Sequence, residues 1–256
     1  MALTIKEVSN KDELRQFVEF QFSLYKGNPY FVPQIVKDEI ETFSPKNPAL
    51  EHCDLKLFLA FDNDKIVGRI AAINNKPANQ KWNTKNIRFG WIESIEKYEV
   101  AKMLYEKVEE WGRELNLKKL TGPHGFTDLD PQGMLVEGFD KLATIASYYH
   151  HPYYHKFAEL YGFEKEIDFV EYLSTPPYST GIPEKLINSA DWIRNRYNFR
   201  VLDYSSVRKY KKRSIELFEL LEESFVENYG TVPFSKKQME YRSEERRVGK
   251  ECRSRW

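Results

Sequence analysis

Between Glu99 and Leu115 the chain places Val100, Ala101, Leu104, Val108, Trp111 and Leu115 three and four residues apart, with Glu and Lys filling the other face. Such spacing predicts a helix that must lay one stripe on an apolar partner. The residues before it supply that partner. LKLFLAFD and KIVGRIAAIN are two apolar strands separated by turn chemistry at Asn63 and Asp64, which predicts a hairpin. Residues 85–95, KNIRFGWIESI, alternate as a further strand. A one-sided helix entering directly from a run of strands constrains the chain to an α/β fold with a mixed sheet.

The remaining segments extend this pattern in both directions. LTIKEV alternates with period two and reads as a first strand; KDELRQFVEFQFSLYKG then reads as a helix, halted by Gly27 and Pro29. FVPQIVKDEIETF follows as a short second helix, with Pro33 in its first turn. After the long helix, KKLTGP predicts a short strand and GPHGFTDLDPQGMLVEGFD a long Gly-punctuated loop, too apolar for disorder and long enough to be functional. A helix over Pro152–Tyr161 is stopped by Gly162, and FEKEIDFVEYLS is expected to be a closing strand. STPPYSTGIP, with three prolines and a glycine, reads as a linker.

Beyond it the pattern restarts. PEKLINSADWIRNRY predicts a helix with Leu186, Ala190, Ile193 and Tyr197 on one face, FRVLDYS a strand, and RSIELFELLEESF a helix through Leu217, Leu220, Leu221 and Phe225. The expected organisation is a domain over 1–176, a linker over 177–183 and an incomplete second domain over 184–241.

The last fifteen residues stand apart. RSEERRVGKECRSRW, Arg242–Trp256, shows neither helical nor strand periodicity and carries five Arg and one Lys against three Glu. Over its full length it resembles one reading-frame translation of a sequencing-library adapter, so it is expected to be foreign to the protein. Without it the formal net charge moves from zero to −3, which predicts no general affinity for nucleic acid or anionic membranes. The N-terminal residues MALTIKEVSNKDELRQ carry charges where an export signal needs an apolar segment, and no apolar run approaches a membrane span. A cytoplasmic location is expected. Of the two cysteines, Cys252 lies in the tail and Cys53 enters an apolar strand, so no disulfide framework is predicted and Cys53 reads as a small packed side chain.

The order strand, helix, helix, hairpin, strand, helix, strand, helix, strand resembles the layout of the GNAT N-acyltransferases. LYKGNPYFVPQ, KIVGRIAAI, GFTDLDPQGMLVEGFD and YYHKFAELYGFEK are together similar to an uncharacterised bacterial family of tandem GNAT-like proteins, over roughly residues 3–241. The resemblance implies a GNAT-like N-terminal domain followed by a truncated second one, an acyl-CoA such as acetyl-CoA as cofactor, and transfer of its acyl group to an amine. It also implies four demands. Backbone amides at a Gly-rich turn entering the helix after the central strand would hold the CoA pyrophosphate; the matching positions are Ser94, Ile95 and Glu96, and the turn ESIEKYEV has no glycine. This departure shifts the expected cofactor loop to the second domain.

A carboxylate on the central strand would take a proton from the amine, and Glu93 matches; its bland alternative is a solvent-facing strand-end glutamate. A phenol near the final helix would protonate the leaving thiolate. Ala158 holds the matching position, which leaves Tyr154, one turn earlier, and Tyr161 as the phenols at hand. A backbone N–H at a strand bulge would stabilise the oxyanion.

Two further clusters are candidate acceptor-binding residues. His124, Asp128 and Asp130 lie in the long loop, with no second His at ligand spacing to suggest a metal. Tyr149 and His151 lie in SYYHHPYYH, among His150, His155, Tyr148, Tyr153 and Tyr154, a set that reads equally as a crowded core edge. If these stretches face one cleft, that cleft is the expected acceptor site for a small-molecule amine. Two readings of function follow: an N-acyltransferase whose first domain shapes the acceptor site, or a GNAT-fold module that binds a ligand or partner without catalysis.

Overall fold

The computed structural model describes residues 3–173, 181–200 and 213–245. Five strands form one sheet in the order β1-β2-β3-β4-β5, where β1 is Leu3–Glu7, β2 Cys53–Asp62, β3 Lys65–Asn75, β4 Asn86–Ser94 and β5 Lys119–Thr121. The first four pair antiparallel and β5 joins β4 in parallel, so the sheet is mixed, as the sequence predicts. The β2–β3 hairpin turns through Asn63, which adopts the left-handed conformation at φ 54°.

Helix α1 spans Lys11–Leu24 and α2 spans Val36–Thr42. Asn10 caps α1 by accepting from the Glu13 N–H at 2.9 Å. Both helices cover one face of the sheet, where Phe17, Val18, Phe43, Leu57, Leu59, Ile73 and Trp91 form a core. A short helix α3, Lys76–Lys81, follows β3, and α4, Tyr98–Glu114, covers the opposite face through Val100, Leu104, Tyr105 and Val108 against Phe58, Ile70 and Phe89. Leu57 and Leu59 belong to one core and Phe58 and Ala60 to the other, the period-two alternation of a strand buried on both sides.

Helix α5, Tyr153–Tyr161, ends at Gly162, whose φ of 107° is the left-handed cap that residue is suited to. The strand expected over FEKEIDFVEYLS is not formed: residues 163–173 belong to no strand, and Ile167, Phe169, Val170, Tyr172 and Leu173 are exposed. No sheet edge receives them among the described residues, since β5 stops after three residues. The strand expected over FRVLDYS falls almost wholly outside the described residues, as does most of the linker.

Helices α6, Glu184–Arg196, and α7, Ser214–Phe225, match the predicted periodic stretches, and α8 runs Lys236–Glu245. The segment around α8 lies on the first domain. The Trp82 indole N–H donates to the Thr231 carbonyl at 3.0 Å, Lys81 Nζ to Thr231 Oγ1 at 2.6 Å and Lys237 Nζ to Glu51 at 2.6 Å. The start of the stretch 242–256, which shows no helical periodicity in the sequence, is helical and packed: α8 continues through Arg242–Glu245, Arg242 pairs with buried Asp130, and Ser243 is buried with its hydroxyl donating to the Met239 carbonyl. Among the described residues no helix is long and apolar enough to cross a membrane.

Candidate active site on the bulged central strand

Strand β4 is the spine of the candidate site, and two irregularities make it so. Against β3 the register runs Arg69↔Glu93 and then Ala71↔Gly90, so two residues of β4, Trp91 and Ile92, stand opposite the single Ile70. Trp91 absorbs the extra residue at φ 47°, a conformation that costs a non-glycine residue energy and bends the strand. Against β5 the pairing ends at Arg88↔Thr121, with one more bond from the His124 N–H to the Phe89 carbonyl at 2.8 Å. Gly90 makes that approach possible, because a Cβ there would lie 2.5 Å from the His124 carbonyl oxygen. Beyond it β4 has no strand on that side among the described residues.

Glu93 sits at this point and is buried rather than solvent-facing, which corrects the bland alternative. It is 6% exposed, and its Oε2 accepts from Arg69 Nε at 2.8 Å. Arg69, 2% exposed, also donates through Nη1 to the carbonyls of Phe17 and Val18 at 2.7 and 3.3 Å, and its guanidinium lies 5.1 Å from the Phe17 ring centre. Burial raises the Glu93 carboxyl above its ordinary range, opposed by the charge and hydrogen bond of Arg69. The pair ties α1 to β3 and β4 under the bulge.

The edge of β4 is taken up by phenols of α5. The Ser94 N–H donates to the Tyr154 hydroxyl at 2.8 Å, and the Ser94 carbonyl accepts from Tyr153 at 2.7 Å and from Tyr154 at 3.1 Å. Tyr154 therefore lies on the backbone of the residue next to Glu93. Burial pushes its hydroxyl well above the ordinary phenol range, with Tyr25 and Glu93 adding to the effect. Ser94, an expected cofactor contact, thus has its backbone N–H and C=O occupied. At the next positions, the Ile95 N–H turns back to the Val67 carbonyl at 2.9 Å and the Lys97 N–H to Ile95 at 2.7 Å, while Glu96 is exposed. A pyrophosphate at this turn would meet the charge of Glu96 and a backbone already engaged.

The two acceptor clusters do not share one wall. His151 stacks between Tyr25 (4.8 Å, 23°) and Tyr153 (5.3 Å, 19°), and Tyr149 meets Tyr25 edge-on while its hydroxyl donates to the Phe139 carbonyl. That group borders Ser94. His124 instead contacts Gln132 at 3.1 Å and the Tyr229 ring at 5.7 Å, and desolvation lowers it to about 4. Asp130, 7% exposed, accepts from the Thr127 N–H at 2.9 Å and pairs with Arg242, and Asp128 keeps a buried Oδ1 without a partner among the described residues. The Tyr148 hydroxyl is buried, and desolvation pushes it well above the ordinary phenol range, with the charges of Glu39, Arg69, Asp130 and Glu93 also acting on it.

Three participants escape the sequence reading. Arg69 shares the α1 face of β3 with Ala71 and Ile73, a placement that period-two counting could have found. Tyr25, 3% exposed, follows α1 as an ordinary aromatic. Glu39, in the one short turn of α2, reads as a solvated residue, yet it is 8% exposed and accepts from the Trp91 indole N–H at 2.7 Å. No His, Cys, Asp and Glu group of metal-binding form occurs among the described residues.

No family model matches the chain. In sequence it is similar to Protein YghO of Escherichia coli (strain K12), 26% identical over 231 residues, or 90% of this chain and 58% of that protein. It is also similar to the Bacterial ceramide synthase of Caulobacter vibrioides (strain NA1000 / CB15N), 26% identical over 234 residues, or 90% of this chain and 60% of that protein. Among solved structures it is similar to a tandem GNAT protein from the clavulanic acid biosynthesis pathway, with 15% identity, 63% of this chain and 43% of that one covered, and a TM-score of 0.42. An aminoglycoside acetyltransferase from an uncultured soil metagenomic sample gives 11% identity, 68% and 96% coverage and a TM-score of 0.41. The chain is a mixed α/β protein that spans about three fifths of the length of the curated relatives it matches.

Proposed function

We propose that this chain is the acceptor-binding part of a longer acyl-CoA-dependent N-acyltransferase. The observation that carries the reading is the bulged end of β4. There a strand edge opens beside β5, a buried carboxylate at Glu93 is held by Arg69, and the phenol of Tyr154 lies on the next residue's backbone. Acyl transfer from a thioester to an amine uses such a set: a strand N–H for the oxyanion, a carboxylate near the amine, and a phenol near the departing sulfur. A ceramide is an N-acylated long-chain amine, so the name of the Caulobacter relative denotes the same bond formation, which supports the reaction class.

The cofactor loop is assigned to the part of the relatives' length that this chain does not span. Ser94, Ile95 and Glu96 offer a pyrophosphate neither glycine nor unengaged strand amides. The test is made on a protein that carries this chain and spans the full length of its curated relatives, incubated with acetyl-CoA or a long-chain acyl-CoA and a set of primary amines from ethanolamine to long-chain amino alcohols. Amide product by mass spectrometry together with stoichiometric free thiol supports the reading. Thiol release without amide refutes it in favour of thioester hydrolysis, and neither product from any pair refutes it in favour of a non-catalytic binding module.

A further inference from the structure

We propose that Glu39, on α2, is the group that takes the proton from the amine, and that Glu93 is a positioning residue for Arg69. This rests on the acyl-transfer reading and changes which carboxylate performs its first step. The two carboxylates reach the same region from opposite sides. Glu93 comes from β4 and is engaged by a guanidinium at 2.8 Å. Glu39 comes from α2 onto the indole of Trp91, the residue at the bulge, and no cation lies within ion-pair distance of it among the described residues. The charge and hydrogen bond of Arg69 oppose proton uptake by Glu93, whereas the hydrogen bond to Glu39 comes from a neutral donor.

The surroundings of Glu39 point the same way. The charged groups acting on it are Arg69 from β3, Asp130 from the long loop and Glu93 from β4, and its own charge acts on the Tyr148 hydroxyl at the far end of that loop. The Tyr148 hydroxyl is buried without a hydrogen-bond partner among the described residues, and Glu39 is the foremost charge acting on it. A buried hydroxyl left unpaired near a carboxylate that has no ion pair among the described residues suits a donor-rich cation, which is what a primary ammonium is. Burial lifts the Glu39 carboxyl to about 7, opposed by Arg69 and the Trp91 hydrogen bond, so it exchanges protons near neutrality.

The step balances in the usual way for amide formation. The ammonium R–NH3+ gives one proton to the Glu39 carboxylate; the freed amine nitrogen bonds to the thioester carbonyl carbon and the C–S bond breaks. The nitrogen gives up a second proton, the thiolate gains one, and the proton on Glu39 passes to solvent.

Two experiments test the assignment. Tryptophan fluorescence of the 256-residue chain is followed from pH 5 to 9, because the indole N–H of Trp91 is bonded to the titrating group. A step centred near 7 is expected, absent in Glu39→Gln and in Trp91→Phe, retained in Glu93→Gln. A step that survives Glu39→Gln, or none in the wild type, overturns the titration on which the assignment depends.

In the full-length protein, Glu39→Gln should lower kcat by about 10²- to 10⁴-fold and remove the acid limb of the kcat/KM profile, with KM for acyl-CoA unchanged. Glu39→Asp should keep the limb at reduced kcat. If Glu39→Gln keeps both the rate and the limb while the wild type forms amide, Glu39 is not the acceptor and the reaction reading stands. If the wild type forms no amide, the reaction and the role of Glu39 in it fall together.

Discussion

Replacing Arg69 by methionine should be among the most destabilising single changes in the first domain, and the structure supplies the reasons. The substitution keeps the length of the stem but removes the cation paired with Glu93 among the described residues and the donors to the Phe17 and Val18 carbonyls. Removing one partner of a buried pair leaves an uncompensated charge and costs about 3–5 kcal/mol. Folding free energies of single domains are about 5–15 kcal/mol, so the variant sits near the edge of stability.

The loss should depend on pH with a definite sign. Burial already raises the Glu93 carboxyl, and Arg69 opposes that rise. Without Arg69 the folded-state pKa climbs further above the unfolded one. A carboxyl raised in this way contributes stability at acid pH and loses it as pH rises through the folded value. Urea unfolding at pH 5 and pH 8 should therefore show the smaller deficit at pH 5. Arg69→Met with Glu93→Leu should recover part of the loss, because a neutral apolar pair replaces an orphaned charge. A single-variant cost below about 1 kcal/mol, or one equal at both pH values, would refute the account of this ion pair.

Four further outcomes are expected. Tyr154→Phe leaves the Ser94 N–H without its acceptor and should cost about 1–3 kcal/mol, measured by urea unfolding, whereas Tyr153→Phe should cost less because the Ser94 carbonyl keeps Tyr154. Gly90→Ala drives a methyl against the His124 carbonyl at 2.5 Å and should cost about 1–3 kcal/mol, seen as a lower Tm. Burial of Glu39 raises it from 4.5 to about 7, so its contribution is full below 4.5 and is lost as pH rises through 7. The wild type should lose about 3 kcal/mol relative to Glu39→Gln across that window, by chemical denaturation at each pH. Deleting 242–256 removes the Arg242 partner of buried Asp130 and should lower stability by about 1–2 kcal/mol; no change by thermal melting would show that the start of the tail does not pack.

What the sequence made legible were the elements whose burial pattern is periodic. The β2–β3 hairpin, β4, α4 and the Gly162 stop of α5 each carry their signal within the segment itself. The elements missed depend on neighbours. Residues 163–173 have the residue types of a strand but no edge on which to pair, since β5 is only three residues long. Helix α3 carried an Asn75 cap and Pro77 in its first turn, an ordinary start signal hidden by its shortness. At the candidate site, Glu93 and Tyr154 could be named beforehand because the resemblance points to a strand and a helix position, and the structure brings both to the end of β4. Glu39 could not, because one acidic residue in a seven-residue helix looks solvated until the Trp91 indole of another strand is placed over it. The bulge that places that indole is a register event between two strands and leaves no mark in either alone.

Helix α6 has thirteen residues and none is buried; Leu186, Ile187, Trp192 and Ile193 all face solvent. In water a helix of this length is marginal without tertiary support, because few propagated hydrogen bonds offset the cost of nucleation. Its amide protons therefore act as an occupancy gauge. When that apolar stripe is uncovered they should exchange within seconds, and any surface laid over Trp192 and Ile193 should slow them by orders of magnitude while leaving the β3 and β4 amides untouched. Deuterium uptake in this one peptide would thus report whether the stripe is covered in a given preparation, before the covering surface has been identified.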